Sequence, residues 1–191
     1  MIIESLVTTL DADGALNCAP MGVEWGDDLI VIKPFEDTTT CRNLTATGVA
    51  VVNLTDDALL FAKAVTGHPD AANPPTTPAA RVTGRVLAAA CSWREVEVTA
   101  SELTKPRARF IARVVHRGSQ REFLGFNRAR HAILEAAILA TRTHLIAGAE
   151  IRAEFDRFRI IVEKTAGPDE RAALRLLEEY VAPRLTEVPA R

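Results

Sequence analysis

The opening of the chain holds three strand-like runs, the first of them rich in β-branched residues, set apart by turn clusters too short to contain a helix. Ile2 to Leu10 ends at Asp11-Ala12-Asp13-Gly14. Leu16 to Val23 ends at Gly26-Asp27-Asp28. Leu29-Ile30-Val31-Ile32-Lys33 stops at Pro34. Asp and Gly accept the backbone angles of tight turns, and Pro cannot donate to a ladder. Connections this short join antiparallel neighbours, so this part is predicted to be an antiparallel meander.

Further on, Asp37 or a following threonine caps a short helix that Gly48 ends. Val49 to Leu54 reads as a fourth strand, apolar enough for burial on both faces. Asp56 or Asp57 starts another short helix through Lys63. Residues 66–80 carry Pro69, Pro74, Pro75 and Pro78. They read as a long irregular loop, either ligand-facing or mobile. Ala90 to Leu103 and Phe110 to His116 read as strands of a hairpin that turns at Lys105-Pro106 and helps to close a barrel.

The last third has helical periodicity. Asn127 begins a helix with Leu134, Ile138, Thr141 and Leu145 along one stripe. Ile151, Phe155, Phe158 and Val162 line a second helix. Gly167-Pro168 starts a third, with Ala173, Leu176, Leu177 and Tyr180 facing inward.

Composition removes several classes. A formal net charge of -2, with acidic and basic residues interspersed, provides no global field for nucleic acid. The three cysteines, Cys18, Cys41 and Cys91, are far apart and form no C-x-x-C pair, so neither a disulfide framework nor a cysteine metal site is expected. His131 and Glu135 stand i, i+4 on a helix, but no further ligand of recognisable spacing accompanies them. Met1 to Ser5 lacks the basic and apolar regions of a signal peptide. No apolar stretch approaches the roughly 18 residues of a membrane span. The expected location is the cytoplasm.

Two segments carry the chemistry. In Lys33-Pro34-Phe35-Glu36-Asp37-Thr38-Thr39-Thr40-Cys41-Arg42-Asn43-Leu44, three hydroxyls stand at a helix N-terminus with Lys33 and Arg42 close by. Free N–H groups and the partial positive charge there favour an anion, which hydroxyls and a guanidinium complete. From spacing alone the segment reads equally as a capped helix with a solvated Arg. In Asn17-Cys18-Ala19-Pro20-Met21-Gly22, small residues and a glycine inside a strand let a flat ring approach the backbone; the same pattern also marks a bulged or edge barrel strand. His116 closes a predicted strand and suits proton transfer near neutral pH or surface exposure. Asn127 suits an N-cap or a ligand contact.

Residues 2–61, from Ile3-Glu4-Ser5-Leu6-Val7-Thr8-Thr9 through Asn17 to Gly22 and Lys33-Pro34-Phe35 to Val51-Val52-Asn53-Leu54-Thr55-Asp56-Asp57, resemble the family known as domain of unknown function 447. Gly125-Phe126-Asn127-Arg128-Ala129 and Glu135-Ala136-Ala137-Ile138-Leu139-Ala140-Thr141-Arg142 are similar to it too. The resemblance implies an α+β fold: an antiparallel split β-barrel over residues 1–124, of the FMN-binding, flavin reductase-like kind. A helical extension over 125–191 is expected to pack on it. It implies FMN as cofactor, with Thr38, Thr39, Thr40 and Arg42 on the phosphate and Lys33 nearby. Asn17, Pro20, Met21 and Gly22 would border the ring, with His116 and Asn127 as further candidates. It also implies a homodimer with the flavin site at the subunit interface. The functions it leaves open are a flavin-dependent oxidoreductase or flavin reductase, a non-catalytic FMN-binding protein, and a one-carbon-metabolism protein that binds a pterin or another phosphorylated ligand.

Overall fold

The computed structural model describes residues 1–185. Two compact units emerge: Met1–Asp56 with Ala72–Phe123, and Asp57–Ala71 with the chain from Leu124 onward. The assignment of residues 57–71 to the helical unit departs from the sequence reading, which kept them with the barrel.

In the first unit six strands close an antiparallel barrel. Their order is β1 (Ile2–Leu10), β2 (Leu16–Trp25), β3 (Leu29–Ile32), β8 (Arg109–Ser119), β7 (Ser92–Glu102) and β4 (Val49–Leu54), with β4 returning to β1. The meander turn is set locally: Asp11 accepts the N–H groups of Asp13 and Ala15, and Gly14 takes φ 85°. β1 and β2 run in unbroken register from Ile2↔Glu24 to Leu10↔Leu16, so the segment around Pro20 carries no bulge against β1. β2 meets β3 only at Glu24 and Trp25. From Leu16 to Val23 the other edge of β2 therefore has no strand beside it among the described residues, and this is where the barrel is split. Pro20 falls in that edge segment, where sheets tolerate proline.

Helix α1 (Thr39–Thr47) lies against β1 and β2. It sends Cys41 and Leu44 into a core with Val7, Val23, Ile30, Ile32, Val52 and Phe110. Full burial of a leucine such as Leu44 contributes about 1.5–3 kcal/mol. That burial holds the start of α1 beside the open edge of β2.

The segment read as an irregular loop is ordered at both ends. It contains the short helix α3 (Pro69–Ala72) and strand β5 (Thr76–Pro78), which pairs with β6 (Arg85–Leu87). Side chains from the barrel satisfy this hairpin. Buried Asn53 accepts the Leu87 N–H at 2.9 Å and donates to the Leu6 carbonyl and Thr8 Oγ1, while Thr8 donates to the Arg85 carbonyl at 2.6 Å. The prolines predicted irregularity; partners remote in sequence supply the order.

The second unit is helical: α2 (Ala58–Thr66), α4 (Arg128–Ala140), α5 (Gly148–Thr165) and α6 (Pro168–Arg184). Its core joins Ala58 and Ala62 to Ile133, Ala136, Ile151, Phe155, Phe158, Val162 and Leu177, which is why α2 belongs here. The expected α5 stripe is buried as read. The α4 stripe is corrected. Its buried face is Ala129, Ala132, Ile133, Ala136, Ala137 and Ala140; Thr141 is the C-cap and Leu145 is 73% exposed. Alanines let the helices approach closely, so Leu134 and Ile138 fall to the flank while Ile133 is the large residue buried. On α6, Ala173 and Leu177 are buried as read, joined by Leu174 and Val181; Leu176 and Tyr180 are half-buried.

Candidate cofactor-binding site

The first turn of α1 is an anion site in outline. Thr38 is the N-cap: its hydroxyl accepts the Cys41 N–H at 3.3 Å and donates to the Phe35 carbonyl at 2.7 Å. No acidic residue occupies the first turn itself, although Glu36 and Asp37 precede the cap and the Glu36 charge reaches Cys41. Thr39 is exposed, and its hydroxyl accepts from Arg42 Nη2 at 2.9 Å. Arg42 Nη1 donates to the Asp37 carbonyl at 2.8 Å. These bonds fold the exposed guanidinium back over the turn. Its charge and the first-turn N–H groups then converge on one patch, which suits a phosphate.

Thr40 points the other way. It is buried, and its hydroxyl accepts from Asn17 Nδ2 at 3.0 Å; the same amide reaches Thr9 Oγ1 at 3.2 Å, which also accepts from Asn43 Nδ2 at 3.0 Å. This network ties α1 to the start of β2 and the end of β1. Thr9 and Asn43 were not singled out in the sequence, because only tertiary pairing brings them to Asn17.

Pro20, Met21 and Gly22 follow along the split edge. The Met21 carbonyl accepts from Ser5 Oγ at 3.0 Å. A Cβ at Gly22 would come within 2.6 Å of Ile2 Cγ2 and 2.9 Å of Glu4 Oε1. The close approach that Gly22 permits is thus made by the side chains of β1. Lys33 pairs with Glu24, whose carboxyl is held below its usual range by that bond. His116 is half-buried at the opposite end of the barrel, its ring 6.5 Å from that of Trp93. Asn127 lies in the helical unit, where Oδ1 accepts the Arg130 N–H and Nδ2 donates to the Thr165 carbonyl. The structure therefore brings together Asn17, Thr38, Thr39, Thr40 and Arg42. Lys33, His116 and Asn127 contact other partners. Burial pushes the Cys18 thiol up to about 12 and raises Cys41 as well, so both thiols stay protonated near neutral pH.

Among the described residues, no group of three or more His, Cys, Asp or Glu is placed to hold a metal, and no helix is long and apolar enough to cross a membrane. The fold has solved counterparts. An FMN-bound protein from Methanosarcina mazei shares 21% identity over 94% of each chain, with a TM-score of 0.80. A 2-nitrobenzoate 2-nitroreductase from Pseudomonas fluorescens shares 21% identity over 61% of this chain and 64% of its own, at 0.53. Nitrilotriacetate monooxygenase component B from Bacillus cereus shares 20% over 64% and 71%, also at 0.53. These likenesses establish the flavin reductase-like split-barrel fold. In sequence, residues 3–121 match the family described as protein of unknown function (DUF447), N-terminal domain, and residues 127–179 match protein of unknown function (DUF447). With both parts matched over most of its length, the chain belongs to the DUF447 family.

Proposed function

We propose that this protein binds FMN and uses it as a redox cofactor, as a flavin reductase or a related oxidoreductase. The observation that carries the reading is the acid-free first turn of α1, with exposed Thr39 and Arg42, set beside the open edge of β2. In this reading Thr38, Thr39, Thr40 and Arg42 surround the phosphate; Thr38 and Thr40 shape the turn, while Thr39 and Arg42 face the anion. Asn17 holds Thr40 in place. The segment Pro20 to Gly22 borders the ring along the edge that no strand covers, with the Met21 carbonyl already engaged by Ser5 and the Cβ side of Gly22 filled by Ile2 and Glu4. The M. mazei family member is FMN-bound over the same fold. Bound FMN would supply hydride and electron transfer; the protein binds, orients and tunes it.

His116 lies at the far end of its own barrel and Asn127 bonds within the helical unit. Any flavin contact from His116 therefore belongs to a second copy, which fits a homodimer with shared sites. The test is an absorbance spectrum of the purified protein with and without FMN, followed by NADH and NADPH consumption. Thr39→Ala with Arg42→Ala should weaken FMN binding about tenfold or more, since a hydrogen bond to a charged group contributes about 1.5–3 kcal/mol. Unchanged affinity in the double variant refutes the phosphate assignment. FMN binding without nicotinamide turnover would leave a flavin carrier instead of a reductase.

A further inference from the structure

The β7–β8 ladder follows a charge rule and breaks it once. Glu97 lies opposite Arg113 with an ion pair at 3.0 Å, and Glu102 opposite Arg109 at 3.9 Å. Arg94, however, lies directly opposite Arg117. Like charges facing each other across a ladder destabilise it. This pair stands at the end of the barrel where β2 and β8 finish and β7 begins, the end away from α1.

Arg94 is half-buried on the face of the sheet that holds Val52, its core-facing partner on β4. Among the described residues it forms no ion pair. Nη1 donates to the Trp93 carbonyl at 2.9 Å, and the guanidinium carbon lies 5.2 Å from the centre of the Trp25 ring. Among the described residues Arg117 donates from Nη2 alone, to the Asp27 carbonyl at 2.6 Å and to Asp28 Oδ1 at 2.8 Å; that carboxylate is largely exposed and weakly neutralising. Glu95, the nearest carboxylate in sequence, faces the other side of the sheet and is engaged by backbone N–H groups. Burial and the neighbouring Arg117 depress the Arg94 pKa, and the Asp27 carboxylate, which acts the other way, offsets them only in part, so the cation is incompletely neutralised.

We infer that Arg94, over the Trp25 ring, and Arg117, opposite it on β8, form a binding site for a carboxylate or phosphate oxyanion at the barrel end opposite α1. An oxyanion between two guanidinium groups takes bidentate hydrogen bonds and removes the repulsion that the ladder otherwise carries. Two half-used forks with nitrogens to spare are the donor set it needs.

The test uses thermal melting and tryptophan fluorescence of the full chain in phosphate, acetate and chloride at matched ionic strength, so that general screening cancels. Phosphate or acetate should raise the Tm above the chloride value and change the Trp25 emission, in the wild type and equally in the Thr39→Ala, Arg42→Ala variant. That second background excludes the proposed FMN phosphate site as the source. Arg94→Gln and Arg117→Gln should each weaken the response about tenfold, and Arg94→Gln should melt no lower than the wild type in chloride. A response to phosphate alone assigns a phosphate group, and one to acetate alone a carboxylate. The inference is overturned if neither anion acts beyond chloride, or if both glutamine variants respond like the wild type.

Discussion

Glu95 offers the sharpest test of how this barrel holds its outer hairpin. The side chain is fully buried in the middle of β7, yet it carries four hydrogen bonds. Oε1 accepts the Ala80 N–H at 2.8 Å and the Trp93 indole N–H at 3.2 Å; Oε2 accepts the N–H of Arg81 at 2.5 Å and of Val82 at 3.2 Å. Glu95→Gln keeps the shape but turns one oxygen into an NH2 group that confronts two donors. Two charge-assisted bonds are lost, at about 1.5–3 kcal/mol each. Ala80 and Arg81 are exposed enough to recover water, which lowers the expected net loss to about 2–4 kcal/mol. Urea unfolding with an unchanged m value measures it. A loss under about 0.5 kcal/mol, the level of an ordinary surface change, refutes the reasoning. The pH dependence has a definite sign. Burial alone would raise the Glu95 pKa, but the three backbone N–H groups and the indole outweigh it and leave it lowered. Its stabilisation is therefore present above the unfolded value of about 4.3 and is lost as pH falls through the folded value. The wild type should lead the glutamine variant by a constant margin near neutrality, and that margin should shrink below about pH 4.

Two further substitutions probe the same face of the barrel. Asn53→Ala strands the buried Leu87 N–H and removes three donated bonds; urea unfolding should show a loss of about 2–4 kcal/mol. Gly118→Ala would set a Cβ within 2.1 Å of the Trp93 ring. The indole must move off Glu95, so stability should fall by about 1–3 kcal/mol with a shift in tryptophan emission.

The local features were legible because their causes are local. Asp11 and Gly14 make the first turn, Thr38 and Asn127 cap their helices, and Gly48 ends α1 in the left-handed region at φ 68°. The four residues of the α1 turn, Thr38, Thr39, Thr40 and Arg42, were readable for the same reason. The β5–β6 strands escaped notice because they are short and their hydrogen-bond partners, Asn53 and Thr8, lie well upstream. On α4, size alone favoured Leu134 and Ile138, whereas close packing buried the alanines.

By itself the amino-acid order determined the strands of the meander, the capped helices and the hydroxyl-rich turn, since propensity and capping act within a few residues. Tertiary structure alone decided which side chains face one another. It set Lys33 on Glu24 and Asn17 on Thr40, placed Arg94 against Arg117, and buried Glu95 beneath the 80–82 turn. Charge pairing and desolvation depend on distances across the barrel, and those exist only once strand register and closure are settled.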